Sequence, residues 1–249
     1  MSLFILARHA QSALNLEGRI NGDPMVHVEL TARGVEQARE LGQQLSQLPI
    51  DLCVHTRFAR TRRTAEIALQ GRAVRSREEP LLDDIDVGLL EGDTVAKYRA
   101  WKRAHSRRDL LPGGESLEQA AERYARAFAA LALAGADVVL VVCHEIPVRY
   151  ALNGAAGADA LDAPVHDVPN ATPFLFAGAA LTRAEAQRRG VAGWVANRRD
   201  GAVEAHLEGA ADAVERVIDC CGSGPPRARV EALEVTEIAP RGFGSFQVR

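Results

Sequence analysis

Apolar residues fall along the chain in two rhythms. Leu3 to Ala7 and Val138 to Cys143 are short runs without polar alternation, the pattern of strands buried on both faces of a parallel sheet, and Ile50, Leu52 and Val54 mark a third such segment. Between them the period lengthens. From Thr31 to Leu48, apolar side chains recur at Val35, Ala38, Leu41, Leu45 and Leu48 behind a Thr suited to cap a helix, and Ser116 to Leu133 repeats the pattern after Pro112-Gly113-Gly114. Strand and helix alternate, so the main body is expected to be α/β with a doubly wound, mostly parallel sheet between two layers of helix.

The rhythm changes after Asn170-Ala171-Thr172-Pro173. Two strands, Gly193 to Ala196 and Ala202 to Glu208, flank a turn that ends in Asp200-Gly201. A helix from Ala210 to Cys220, a Gly222-Ser223-Gly224-Pro225-Pro226 breaker, and strand text at Ala228 to Val235 and Phe243 to Val248 follow. This reads as a small α+β unit. The expected division is therefore 1–177 and 178–249.

Composition narrows the function classes without choosing among them. The chain has 249 residues, 47% hydrophobic and 25% charged with a net charge of −3, a balance that argues against a nucleic-acid partner. Arg8 and His9 interrupt the N-terminal apolar run, and no later stretch approaches the ~20 apolar residues of a membrane span, so a cytoplasmic protein with no membrane partner is expected. Cys53, Cys143, Cys220 and Cys221 form no C-x-x-C pair and are read as reduced thiols.

The candidate chemistry sits at strand ends. Ligands of an open parallel sheet bind beyond the carboxyl ends of its strands, and Arg8-His9 closes one run while Cys143-His144 closes another. A histidine attacks phosphorus only as neutral imidazole, and a neighbouring cation such as Arg8 favours that form. Guanidinium groups also fork onto phosphoryl oxygens, and Arg57, Arg60, Arg62 and Arg63 follow the third strand, with Arg60 expected in the first turn of a helix. Those arginines could equally be a solvated helix face.

Taken together these segments resemble the histidine phosphatase superfamily, the phosphoglycerate-mutase-like phosphatases. Arg8-His9-x-x-Ser12-x-x-Asn15 is similar to R-H-G-[ED]-[ST]-x-x-N, and Thr31-x-x-Gly34-x-x-Gln37-Ala38 to L-T-x-x-G-x-x-Q-A. Thr56 to Ala65 resembles S-P-L-x-R-A-x-Q-T-A, and Leu82 to Gly92 resembles L-x-E-x-x-F-G-x-W-E-G. Pro112 to Ser116 and Val141 to His144 resemble P-G-G-E-S and V-x-H-G. The resemblance runs colinearly over residues 1 to 177 and implies a phosphohistidine on His9, with Arg8, Asn15, Arg60 and His144 in the phosphate pocket and no metal or cofactor.

Several positions depart from that pattern. Asp84 stands where the family has the Glu that protonates the leaving oxygen, one methylene shorter, and Glu91 is the alternative acid. The glycine after the second histidine is Glu145, which sets a carboxylate beside the anion pocket. The segment between Asp93 and Leu111 is shorter than in mutases, which favours hydrolysis over phosphoglycerate mutation. Its Lys97, Lys102, Arg103, Arg107 and Arg108 either meet an anionic leaving group or face solvent.

The C-terminal unit resembles acylphosphatase, a ferredoxin-like α+β fold, through Gly190-Val191-Ala192-Gly193-Trp194-Val195-x-Asn197-x-x-Asp200-Gly201. The resemblance puts Asn197 where that family positions the attacking water, although a hairpin asparagine serves as well. The family's phosphate-binding arginine falls on Ala179, and its loop and first strand are incomplete here. The expected activity is hydrolysis of a small phosphorylated metabolite. Acyl-phosphate hydrolysis through Asn197, a disabled phosphate-ester binder and a mutase are the alternatives, and an orphaned sheet edge leaves a homodimer open.

Overall fold

The computed structural model describes residues 3–132, 136–156, 158–159, 161, 168–177, 191–197, 203–215, 218, 234–243 and 246–248. Its main sheet contains β1 (Leu3–Arg8), β2 (Leu52–His55), β3 (Arg75–Glu78), β4 (Val138–Cys143) and β5 (Pro173–Ala177), ordered β3-β2-β4-β1-β5. All neighbours pair in parallel except β5, which runs antiparallel to β1. This is the mostly parallel α/β sheet that the apolar runs predict.

Alternation along each strand builds two cores. Phe4, Leu6, Val54, Val139 and Val141 point to one face, where Tyr124, Phe128 and Leu131 of α5 (Leu117–Ala132) and Val148 and Ala151 of α6 (Glu145–Ala155) cover them. Ile5, Ala7, Cys53, Leu140 and Val142 point to the other, under Ala38 and Leu41 of α2 (Ala32–Gln44) and Ala65 and Ala68 of α3 (Ala59–Ala68). The result is three layers. Burying a Leu or Phe of this kind contributes roughly 1.5–3 kcal/mol, so both faces are needed to hold the strand ends in register.

Local chemistry sets the loops near those ends. Thr31 caps α2 by accepting from the Gly34 amide, and Gln37 accepts from the Gln11 amide at 2.9 Å. A Cβ on Gly34 would meet the Gln11 carbonyl oxygen at 2.1 Å, so the Thr-Gly-Gln spacing packs this helix directly under the loop after His9. Gly88, at φ +51°, allows a similar close approach of the 86–92 segment to Pro112 and Gly113.

Two helices complete the picture, α1 (Ala13–Leu16) behind the Ser12/Asn15 capping box and α4 (Val95–Ala104) capped by Thr94. Some sequence expectations change. The helix predicted to run to Leu48 ends at Gln44, after which Leu45–Leu48 form turns, and Phe243 precedes rather than joins its strand. Residues 234–243 have no regular structure, so Val235 is not strand, and most of Ala228 to Val235 lies outside the described residues.

The second sheet holds β6 (Ala192–Asn197), β7 (Val203–Glu208) and β8 (Phe246–Val248), ordered β7-β6-β8. β6 and β7 pair antiparallel with Asn197 opposite Val203, and β6 pairs parallel with β8. Glu208 accepts from the amides of Gly242 and Phe243, each at 3.0 Å, which ties the 241–243 segment to this sheet. Residues 211–215 are helical, and the rest of the predicted 210–220 helix is only partly described.

Candidate active site

β1 and β4 are neighbours, so the residues that follow them meet. The His9 amide donates to the Cys143 carbonyl at 2.9 Å, and the Asn170 side chain donates to the His9 carbonyl at 2.7 Å. Both imidazoles are buried, His9 at 2% and His144 at 0% exposure, with ring centroids 5.5 Å apart.

The His9 ring has a defined tautomer. Its Nδ1 lies 2.8 Å from the Ala10 carbonyl, which can only accept, so Nδ1 carries the proton. Nε2 accepts from Arg60 Nε at 2.9 Å, so its lone pair is unprotonated. Burial, then Arg60, then Arg8 hold the His9 pKa well below its usual value and keep the ring neutral.

Arg60 enters from the first turn of α3, as its position after the third strand predicts, and is 4% exposed over the Phe58 ring. Its guanidinium also donates to Asn21 Oδ1, to the Asn21 carbonyl at 3.0 Å, to Asp84 Oδ2 at 3.1 Å and to His144 Nδ1 at 3.1 Å. Burial brings its pKa down to about 10, which leaves it a cation at neutral pH.

His144 is oriented by a relay. Because Nδ1 accepts from Arg60, Nε2 carries the hydrogen and donates to Thr56 Oγ1 at 2.9 Å; Thr56 and Thr61 hydroxyls are 2.8 Å apart, and Thr61 donates to the Phe58 carbonyl at 2.8 Å. Burial and the cation of Arg60 lower its pKa well below the usual value.

Asp84 joins this group. Its Oδ2 lies 3.4 Å from His144 Nδ1, and its Oδ1 accepts from the Ile85 amide at 3.1 Å. Burial raises its pKa, against the opposing pull of Arg60. The loop that carries it is clamped: Arg123 donates to the carbonyls of Leu81, Asp83 and Asp84 at 3.0, 2.7 and 2.7 Å, while Glu115 of the Pro-Gly-Gly-Glu-Ser segment binds Arg123 and the Asp86 amide. Arg57 holds Asp83 from the other side through its amide, 3.0 Å from Oδ1.

Arg8, His9, Asn15, Arg60, Asp84 and Glu145 line one cavity of about 490 Å³. Glu145, the first residue of α6, bridges Arg8 at 2.9 Å and Arg149 at 3.1 Å. Glu91 does not line this cavity. Its carboxylate accepts from the Asn21 side chain at 2.9 Å and from the amides of Gly22 and Asp23 at 2.6 and 3.0 Å, and so holds in place the asparagine that contacts Arg60. Among the described residues no group of His, Cys, Asp and Glu is gathered to hold a metal ion, and no helix is long and apolar enough to cross a membrane.

Asn21, Thr56, Asn170 and Arg123 are the site residues that sequence reasoning does not find. Thr56 begins a matched motif and gives some signal; Asn21 and Asn170 reach the site from distant loops and Arg123 from α5, and these give none.

The family model described as histidine phosphatase superfamily, branch 1, matches residues 4–175. The chain belongs to this superfamily. Among solved structures, the open reading frame Rv3214 product of Mycobacterium tuberculosis is 29% identical, with a TM-score of 0.59 over 70% of this chain and 90% of that one. The alpha-ribazole phosphatase from Shigella flexneri is 25% identical, with a TM-score of 0.57 over 64% and 81%. The acylphosphatase model matches residues 180–248, and an acylphosphatase of Gloeobacter violaceus is 55% identical over 69 residues, 28% of this chain and 74% of that protein. This histidine phosphatase therefore carries an acylphosphatase-family segment at its C-terminus, and both families are phosphatases. The Asn197 side chain and Ala179 lie outside the described residues.

Proposed function

We propose that this histidine phosphatase hydrolyses small phosphomonoesters through a phosphohistidine on His9. The observation that supports the reading is the tautomer of His9: a buried, neutral ring with its proton on Nδ1 and its lone pair on Nε2 beside Arg60.

Nε2 attacks the phosphorus in line with the ester oxygen. The P–N bond forms as the P–O bond breaks, and Asp84 in its acid form gives its proton to the departing alkoxide. The phosphorylated ring retains its Nδ1 proton and carries positive charge, which the Ala10 carbonyl stabilises at 2.8 Å. Asp84, now a carboxylate, takes a proton from water as the water attacks the phosphorus, the P–N bond breaks, and inorganic phosphate leaves.

Arg60 must release Nε2 and turn its donors onto phosphoryl oxygens, joined by Arg8 and Asn15; His144, buried behind the cavity with Nδ1 accepting from Arg60 and Nε2 donating to Thr56, orients that guanidinium rather than touching the phosphoryl group. Glu145 competes with the phosphoryl group for Arg8, so a substrate has to displace a carboxylate contact. Glu91 acts as a positioning residue through Asn21 rather than as the acid.

The proposed domains are 1–177, which carries this chemistry, and 178–249. With Ala179 at the position of the family's arginine, the second domain is proposed to be a weak acylphosphatase at best. Two successive in-line displacements retain configuration at phosphorus. Hydrolysis of an isotopically chiral phosphorothioate monoester in isotopically labelled water should therefore give thiophosphate of retained configuration, and inversion would exclude the enzyme intermediate.

A further inference from the structure

His9 follows the last residue of β1, so the direction of its Cα–Cβ bond is set by the two peptide planes that flank it. On the Arg8–His9 plane, the Ala171 amide donates to the Arg8 carbonyl at 2.9 Å and the His9 amide donates to the Cys143 carbonyl at 2.9 Å. On the His9–Ala10 plane, Asn170 Nδ2 donates to the His9 carbonyl at 2.7 Å and the Ala10 amide donates to Thr64 Oγ1 at 3.0 Å. Every polar group of both planes is engaged. Asn170 and Ala171 supply one partner to each.

The sheet alone does not provide this hold. β5 meets β1 in antiparallel register only as far as Pro173 opposite Ala7, and a proline has no N–H to carry the ladder further. The chain instead bends at Ala171, whose φ of +51° is the one left-handed backbone outside glycine among the described residues. A residue with a Cβ adopts that conformation at a cost, and such strain persists where the surroundings over-determine it. The Ala171 methyl is buried in the core beneath α2 and α3. Its amide holds Arg8, and the Val168 carbonyl accepts from the Arg8 guanidinium at 3.1 Å. This bend brings an amide and the neighbouring Asn side chain to the consecutive carbonyls of Arg8 and His9.

We infer that Asn170 is a positioning residue for His9, which aims Nε2 through the His9 carbonyl and governs the rate of attack rather than the affinity for the ester. This rests on the reading of His9 as the nucleophile. Asn170 does not line the cavity, so removing its donor takes no contact from a bound ester. A His9 carbonyl freed from Asn170 lets the His9–Ala10 plane turn, and with it the Ala10 carbonyl that faces Nδ1 at 2.8 Å. Misplacing a reacting atom by about 1 Å can cost on the order of 10² in rate.

The test uses the full chain with Asn170→Asp, which keeps the size of the side chain and has no N–H for the His9 carbonyl; Asn170→Ala takes its place if that carboxylate prevents folding. With p-nitrophenyl phosphate, kcat should fall about ten- to a hundredfold and KM should stay within twofold. Water saturation transfer on histidine-labelled protein reads the hold on the ring directly, with the His9 signal identified by its absence from His9→Ala. The His9 Nδ1 proton should exchange at least ten times faster in the variant, while the His144 Nε2 proton, held by Thr56, exchanges as before. A folded variant with kcat within twofold, a raised KM at unchanged kcat, or an unchanged His9 exchange rate would overturn the positioning role. Faster exchange at both rings alike would mark general loosening and would overturn it too. Absence of turnover by the unmodified chain, with the exchange difference intact, would count against the hydrolase and leave the hold on His9 standing.

Discussion

Replacing Asp84 with Asn separates proton donation from charge placement. The amide keeps the shape of the side chain and an oxygen for the Ile85 amide, but it has no proton to give an alkoxide. General acid catalysis by a positioned carboxyl contributes about 10²–10⁴ in rate, or roughly 2.7–5.5 kcal/mol of barrier. The loss should appear in kcat for an alkyl phosphate. For p-nitrophenyl phosphate, whose leaving group needs little protonation, it should stay under about tenfold. Arg60, relieved of a carboxylate 3.1 Å away, should hold phosphate no less tightly, so KM should not rise.

The pH profile carries the same information. The proposed acid, Asp84, has to be protonated to act, and burial raises its pKa above 3.8, so alkyl-phosphate hydrolysis should fall as pH rises through that raised value. The proposed nucleophile, His9, has to be neutral to attack, and its pKa is held well below 6.5, so the acid limb should also sit in the acid range. The optimum is therefore expected on the acid side of neutrality, and Asp84→Asn should abolish the alkaline limb. Steady-state rates on both esters from pH 4 to 9 provide the check. Equal losses on the two esters, or an unchanged alkaline limb, would refute the assignment and leave Asp84 a partner of Arg60.

Three further outcomes follow from the same geometry. Glu115→Gln weakens the Arg123 clamp on the Asp84 loop and should lower kcat for alkyl phosphates more than for p-nitrophenyl phosphate, without the loss of the alkaline limb seen in Asp84→Asn. Gly34→Ala drives a Cβ to 2.1 Å from the Gln11 carbonyl and should lower unfolding stability in urea by about 1–3 kcal/mol, with activity falling alongside. Benzoyl phosphate should be hydrolysed slowly, with the activity lost in His9→Ala and kept in Asn197→Ala; the reverse pattern would assign a working site to the acylphosphatase segment.

What could be read from the sequence divides along physical lines. β1 and β4 are buried on both faces, so their composition identifies them, and a charge or imidazole at their ends stands out. Hence His9, His144 and the entry of Arg60 are legible. β3 is not: Arg-Ser-Arg-Glu at the sheet edge is mostly exposed and has no apolar rhythm. Asn21 and Arg123 act through tertiary contacts whose partners are 39 to 42 residues away, a separation that no local pattern encodes. Glu145 is visible as a departure from a motif, and Arg149 is its i+4 neighbour on α6, but its pairing with Arg8 at the end of β1 is one that no local pattern encodes. Glu91 is visible as an acid in a matched segment, and only the surrounding amides of Gly22 and Asp23 show that its oxygens are already occupied.

The central claim is a covalent one, and it is tested most directly by trapping. Rapid mixing of the full chain with a ³²P-labelled phosphomonoester, followed by alkaline quench within the first turnover, should yield up to one phosphate per chain. The adduct should be acid-labile and base-stable, should map to the peptide that contains His9, and should be absent from His9→Ala. An acid-stable adduct, label on another residue, or label retained in His9→Ala would contradict it.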